Sequence, residues 1–373
     1  MEQPVIFNRI PVLDLGKEVE ELKPQILSAL TEVLDKGAFI MGENVTRFEE
    51  EAASYLGVRH AVALNSGTDA LVLALLAVGV GPGDEVIVPP FTFFATAEAV
   101  SQVGATPVFA DVNAHDFNIN IASIEEHISA RTKAIIPVHL FGQPADLDDL
   151  RRLADAHQLL IIEDTAQAFG AEYKGQKVSG LGDIGTLSFF PSKNLGTYGD
   201  GGMLVTNRAD YADKVRKLRA HGSTKKYFNE MVGYNSRLDE MQAAILRVKL
   251  PYVTGWNEAR RRVADVYQQQ LKGISGLLLP QENKDTMHVY HQFTLRVQEG
   301  RRDELKTALD QKGISTVIYY PLPVHKLPVY AHLNLVLPVS EQLSSEVLSL
   351  PMGPYLDNEV QEYVCESIIE ALR

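Results

Sequence analysis

A single cysteine, Cys365, is all the sulfhydryl chemistry this 373-residue chain has. No disulfide framework can form within it, and a reducing compartment is expected. Basic residues are also scarce, 35 Lys and Arg against 48 Asp and Glu, for a net charge of −13. Such a balance disfavours general binding of nucleic acid or of an anionic membrane, and leaves room only for a local basic site on a small anion. Long apolar runs are missing as well. The longest, "ALVLALLAVGVG", is too short to span a bilayer, and the start "MEQPVIFNRIPVLDLGKEVE" has neither a basic n-region nor an apolar h-region. A cytoplasmic protein without membrane or nucleic-acid partners is expected. No spacing of metal ligands stands out, and no repeat or low-complexity tract appears. A G-x-G-x-x-G turn after the first strand is absent too. The nearest cluster, "GVGPGDE", has another spacing and follows a helix, which argues against a dinucleotide-dependent oxidoreductase.

What the chain does have is an ordinary globular share of hydrophobic residues, 45%, and a regular alternation. The apolar runs "HAVAL", "DEVIVPP", "TPVFADV", "KAIIPVH" and "LLIIED" are separated by helix-like segments such as "TDALVLALLAVG" and "ADLDDLRRLADAH". Strands apolar throughout and alternating with helices predict a mostly parallel sheet covered on both faces. "DIGTLSFF" and "GGMLVTN" predict two more strands. A long helical stretch follows, with Pro251 as its kink. Beyond residue 275 the pattern becomes α+β. The expected division is a large α/β unit over 1–250 and a smaller α+β unit over 251–373, with "RIPVLDL" packed on the first βα unit.

Ligands of such sheets sit beyond the carboxyl ends of the strands, and four features fall there. "NSGTDA" places Ser66, Gly67 and Thr68 at a helix N-terminus, where free N–H groups and the helix dipole favour an anion; it also reads as a plain N-cap. Glu163 and Asp164 end an apolar strand, with Gln167 three residues on; a carboxylate there either caps the next helix or pairs with a cation. "PPFTFFATAEA" brings Phe91, Phe93 and Phe94, core residues or a cover for a flat ring. Finally, "LSFFPSKNLGTYGDGGMLVT" puts Lys193 at the end of a strand, followed by four glycines in seven residues. A desolvated lysine is a nucleophile for aldehydes. Anion cradle, carboxylate, flat aromatic and lysine together suit pyridoxal 5′-phosphate (PLP).

The blocks "NSGTDAL", "PPFTFFATAEA", "EDTAQAFGA", "SFFPSKNLGTYGDGG" and "GYNSRLDEMQAAIL" resemble the signature blocks of the DegT/DnrJ/EryC1/StrS family of nucleotide-sugar aminotransferases, from about residue 10 to the C-terminus. The resemblance implies an α/β fold of the PLP-dependent fold type I, similar to aspartate aminotransferase, and a homodimer with active sites shared between subunits. It implies Lys193 as the covalent anchor, Asp164 at the pyridinium nitrogen and Gln167 beside the ring hydroxyl. Gly67, Thr68 and Ser188 would hold the phosphate, Phe93 would stack on the ring, and Asn235 would reach the neighbouring subunit's phosphate. Asn235 and Arg237 also read as a turn and a charged helix start. Asn194 and Tyr198 fall where a sugar would lie. "YYPLPVHKLPVY", with Tyr319, Tyr320, His325 and Lys326, is similar to the family's substrate-facing loop. "KVRKLRAHGSTKKY" (214–227) is the candidate for meeting a diphosphate, or else a solvated helix end. The expected reaction is transamination from an amino donor, L-glutamate, to a keto-sugar nucleotide, with "GTYGDGG" leaning towards a 3-keto group. The alternatives are a PLP-binding regulator and a lyase or desulfurase of the same fold. A desulfurase needs a mobile loop cysteine, whereas Cys365 lies at helical apolar spacing and reads as a buried thiol.

Overall fold

The computed structural model describes residues 9–373. Its centre is a seven-stranded sheet: β1 (His60–Leu64), β2 (Glu85–Val88), β3 (Thr106–Phe109), β4 (Thr132–Ile135), β5 (Leu160–Asp164), β6 (Ile184–Ser188) and β7 (Gly202–Thr206). They lie in the order β1-β7-β6-β5-β4-β2-β3. Every pairing is parallel except the two that β7 makes, with β1 and β6. β6 and β7 can pair antiparallel because residues 189–201, the loop that carries Lys193, turn the chain back beside itself.

Side chains alternate across each strand, so β1 sends Val62 and Leu64 to one face and Ala61 and Ala63 to the other. The first face is covered by the helices Gly67–Ala77, Ala95–Gln102 and Ala209–Leu218; the opposite face by Gly16–Lys36, Glu43–Leu56 and Glu240–Lys249. The helix Gly67–Ala77 is buried nearly all round, from Ala70 to Leu75 and at Ala77, as its uniformly apolar sequence requires.

The kink expected at Pro251 is present. The helix Glu240–Lys249 passes through a 3₁₀ turn, Leu250–Tyr252, into the helix Val253–Leu271. That second helix joins two cores. Val253 and Trp256 pack under the central sheet, whereas Val263, Ala264, Tyr267 and Leu271 pack with the C-terminal residues. There a three-stranded antiparallel sheet, Leu277–Leu278, Phe293–Val297 and Val347–Leu350, is covered by Arg302–Gln311 and Asn358–Leu372. Cys365 is fully buried in this second core, and burial pushes its thiol up to about 12.

The segment "RIPVLDL" corrects one expectation. It packs not on the first βα unit but on the C-terminal part. The Ile10 N–H donates to Gly313 O at 2.8 Å, Ser315 N–H to Ile10 O at 2.9 Å, and Met352 N–H to Val12 O at 2.9 Å. Extended backbone needs partners for its N–H and C=O groups, and the backbone of Gly313 and Ser315, on either side of Ile314, supplies them for Ile10.

Candidate active site

The carboxyl ends of β1, β5 and β6 open on one cleft of about 360 Å³. Ser66 caps the helix that follows β1: its Oγ accepts from the Asp69 N–H at 3.1 Å, leaving the N–H groups at Gly67 and Thr68 at the cleft wall. A Cβ on Gly67 would stand 2.7 Å from Ser188 Cβ, and one on Gly202 would stand 2.2 Å from the Ser66 carbonyl carbon. Glycine is therefore what lets the ends of β1 and β6 and the start of β7 meet. A Cβ on Gly196 would likewise stand 2.6 Å from the carbonyl oxygen of Pro191. The glycine-rich flank of Lys193 thus mainly admits the protein's own backbone.

β5 ends in two carboxylates whose fates differ because adjacent strand residues point to opposite faces. Asp164 lines the cleft. Its Oδ2 accepts from Thr96 Oγ1 at 2.9 Å and its Oδ1 from the Ala166 N–H at 3.2 Å. Burial raises this carboxyl, and the hydrogen bonds and the charge of Lys193 offset only part of that. Glu163 points away. Burial works against its charge too, but His139 Nε2–H at 3.0 Å and the N–H groups of Ser179, Leu181 and Gly182 at 2.9, 2.8 and 2.5 Å hold it below the usual carboxylate range. It fastens the 179–182 loop and has no part in the cleft.

Lys193 enters the cleft from the β6–β7 loop, its own N–H held by Phe190 O at 2.8 Å. Burial lowers its amine to about 8, against the attraction of Asp164. The amine still holds its proton at neutral pH, but it gives it up far more readily than a lysine in water, and its neutral, nucleophilic form is correspondingly more accessible. Gln167 is fixed at both ends: Oε1 accepts from the Phe141 N–H at 2.8 Å and Nε2 donates to the Tyr320 hydroxyl at 3.0 Å. Of the three phenylalanines, Phe91 is core and Phe94 packs on Tyr330, whereas Phe93 lines the cleft with 59% of its surface exposed.

Gly67, Thr68, Phe93, Asp164, Gln167, Ser188, Lys193 and Tyr320 are thus brought together. Four other candidates are not. Asn194 is buried, and its amide is spent on Asn257 Oδ1 at 2.8 Å, Val289 O at 3.1 Å and His291 Nδ1 at 3.1 Å. Tyr198 turns away to Glu18, at 3.3 Å, and stacks under Lys249 Nζ. His325 is buried beside Phe109 with its Nε2 3.2 Å from Glu341. None of these three side chains, expected to contact a sugar, lines the cleft: each has a partner outside it. Asn235 is exposed, bridged through its backbone to Ala220, on the stretch after a two-stranded hairpin, Ser223–Lys225 and Phe228–Asn229. In the basic segment, Arg216, Lys217 and Arg219 pair with Asp213, Glu230 and Glu49, so their charge is already met. Lys326 pairs with Glu341.

Sequence reasoning missed Thr96, which orients Asp164, and the cleft residues His291 and Gln292. Thr96 stands one turn after Thr92 in "TFFAT", a polar spacing in an apolar stretch. His291 lies in a bend just before the strand Phe293–Val297, 98 residues from Lys193, and nothing local marks it.

The helix N-terminus, the glycine contact at Ser188, the raised carboxyl of Asp164 and the lowered amine of Lys193 suit a phosphorylated pyridine aldehyde. A model of the DegT/DnrJ/EryC1/StrS aminotransferase family matches residues 20–369. The chain belongs to that family. It is 52% identical over 351 residues to the UDP-N-acetyl-3-dehydro-alpha-D-glucosamine 3-aminotransferase of Acidithiobacillus ferrooxidans, covering 94% of each chain. It is 48% identical to a protein named pleiotropic regulatory protein in Geobacillus stearothermophilus, covering 98% of this chain and 99% of the other. Its fold matches the crystal structure of S. venezuelae DesV in complex with a ketimine intermediate at a TM-score of 0.96 and 45% identity, over 98% and 99% of the two chains. Similar solved structures hold the cofactor in its pyridoxal and pyridoxamine forms. As a family member this chain is a PLP-dependent aminotransferase of fold type I, and its α/β architecture is the one expected. Among the described residues, no helix is long and apolar enough to cross a membrane.

Proposed function

We propose that this aminotransferase moves an amino group from L-glutamate to the 3-keto carbon of a UDP- or dTDP-linked sugar, in the cytoplasm. The observation that carries the reading is Lys193, with its amine lowered to about 8, in one cleft with Asp164 and the Gly67 helix N-terminus. The sugar acceptor is supported by relatives named for 3-amino sugar nucleotides.

Gly67, Thr68 and Ser188 would hold the phosphate, Asp164 the ring nitrogen, Gln167 the ring hydroxyl and Phe93 a face of the ring. When bound, PLP supplies an electron sink for the carbon that loses a proton. Lys193 Nζ takes that proton in its neutral form and returns it to the neighbouring position, for which an amine near 8 is well matched. Asp164 keeps a proton at the ring nitrogen, because a carboxylate raised by burial gains most from a cation beside it. Thr96 keeps that carboxylate turned towards the cleft.

The sites are proposed to be completed in a homodimer, with Asn235 reaching the partner's phosphate. Tyr227, 84% exposed, with Phe228 and Val232 on the same stretch, forms an apolar surface suited to a second copy. A division into parts 1–250 and 251–373 is also proposed, with residues 9–15 joined to the second. Cys365, buried away from the cleft, leaves no thiol for desulfurase chemistry. The test is a panel of 3-keto and 4-keto sugar nucleotides with L-glutamate. Amination of a 3-keto member supports the reading; turnover of 4-keto members alone, or of none, refutes it.

A further inference from the structure

Beyond those residues, the cleft wall holds a group that the mechanism leaves unused: His291, 8% exposed, in the bend just before the strand Phe293–Val297. Its ring is fixed by a relay. Asn257 Nδ2 donates to Phe169 O at 3.0 Å, so Asn257 Oδ1 is left as an acceptor. Asn194 Nδ2 donates to that oxygen at 2.8 Å and to Val289 O at 3.1 Å. Two acceptors around one end of the Asn194 amide require that end to be the nitrogen. The other end, Asn194 Oδ1, therefore meets His291 Nδ1 at 3.1 Å as an acceptor, and Nδ1 must carry the hydrogen.

A neutral imidazole has one N–H. With it on Nδ1, Nε2 is a bare lone pair, and Nε2 makes no hydrogen bond among the described residues. Nor is it sealed in the protein: it is absent from the fully buried polar atoms that lack a partner. A second proton is disfavoured, since burial and the positive charges of Lys193 and Arg260 all depress the basicity of the ring. The backbone is equally constrained. Gly142, at φ 100°, comes so close that a Cβ there would lie 3.1 Å from His291 N, and Val289 N–H donates to Gly142 O at 3.1 Å. The site thus contains a rigid acceptor that cannot donate.

Two positive neighbours make a third cation at Nε2 unfavourable, but a neutral hydroxyl meets no such penalty. We propose that His291, held as the Nδ1–H tautomer by the Asn257–Asn194 relay, presents Nε2 as the acceptor for a hydroxyl next to the ketone of the sugar substrate. This rests on the keto-sugar reading above. Asn194 then serves substrate recognition indirectly, as a positioning residue.

The test has two arms. In the first, histidine-labelled protein without cofactor is studied by ¹⁵N NMR. Expected for His291 is a protonated Nδ1 and a bare Nε2, and in Asn194→Leu a loss of that fixed pattern. An Nε2–H tautomer overturns the proposal. In the second, holoenzyme is assayed with a UDP- or dTDP-linked 3-keto-hexose and with its 2-deoxy and 4-deoxy counterparts. His291→Leu should raise KM for the full substrate by about 10-fold, as for one lost hydrogen bond that leaves a partner unpaired. It should slow the L-glutamate half-reaction less than about 3-fold, and be without further effect on one of the two deoxy substrates. His291→Gln, whose Oε1 can accept, should recover most of the loss. Equal penalties on all three sugars, or equal losses in both half-reactions, assign His291 to packing and overturn the proposal. If unaltered enzyme reacts with L-glutamate but aminates no keto-sugar nucleotide, the substrate reading itself fails and this assignment falls with it.

Discussion

Lys193→Met should stabilise the cofactor-free protein, although it abolishes activity. Lys193 is an amine that burial lowers from 10.5 to about 8, against the pull of Asp164. Below about pH 8 both folded and unfolded chains bind the proton, and the folded state bears the full cost of a buried ammonium. Between about 8 and 10.5 the folded chain releases the proton first, so stability rises with pH; above that range both forms are neutral and the cost is gone. A difference of about 2.5 pKa units corresponds to about 3 kcal/mol at 1.36 kcal/mol per unit. Removing Lys193 also removes the attraction that supports charge on Asp164, so a gain of about 2–3 kcal/mol is expected at pH 7. The assay is equilibrium urea unfolding of cofactor-free native and Lys193→Met chains at pH 7, 9 and 10.5. The gain should shrink steadily over that series and approach zero. A variant that is less stable at pH 7, or a gain that does not change with pH, would refute the claim that the lysine sits desolvated. With PLP present the order should reverse, because only the native chain gains the stabilisation of a covalently held ligand.

Asp164→Asn keeps the shape of the side chain and removes its charge. The L-glutamate half-reaction, followed by cofactor absorbance, should slow by at least about 100-fold, as for the loss of a charge-assisted contact of roughly 3 kcal/mol in a buried site; an unchanged rate would make Asp164 a helix cap. His139→Leu leaves Glu163 buried without its ring partner, and a loss of about 3–5 kcal/mol is expected in thermal or urea unfolding. Because Glu163 faces away from the cleft, the variant that still folds should keep its affinity for PLP. Mixing inactive Lys193→Ala and Asn235→Ala chains should restore activity after subunit exchange, since one site of a mixed dimer carries both lesions and the other neither. No recovery, with exchange confirmed by mass, would place Asn235 in its own chain's site.

The sequence by itself determined the parallel sheet, the break at Pro251 and the placing of Lys193 and of the neighbouring carboxylates Glu163 and Asp164 at strand ends on one edge. These follow from local rules: apolar strands alternating with helices must be covered on both faces, and residues at strand ends open on one edge of such a sheet. Even the β6–β7 turn was legible, since two strand-like runs flank one glycine-rich loop. Tertiary structure decided everything that depends on which partner a polar side chain finds across the fold. Glu163 and Asp164 are neighbours of the same chemistry, and only packing gave one to His139 and the 179–182 loop and the other to the cleft. Asn194 follows Lys193 directly and was expected to face the sugar. It turns instead into a buried relay whose other members, Asn257 and His291, lie 63 and 97 residues away. Tyr198 and His325 were drawn off in the same way by Glu18 and Glu341. "RIPVLDL" found its backbone partners near Ile314, some 300 residues on, and not in the unit beside it. The physical reason is common to all of these. Burial by pattern is a property of a segment, whereas a buried hydrogen bond is a property of two groups, and the second is supplied only when the chain is folded.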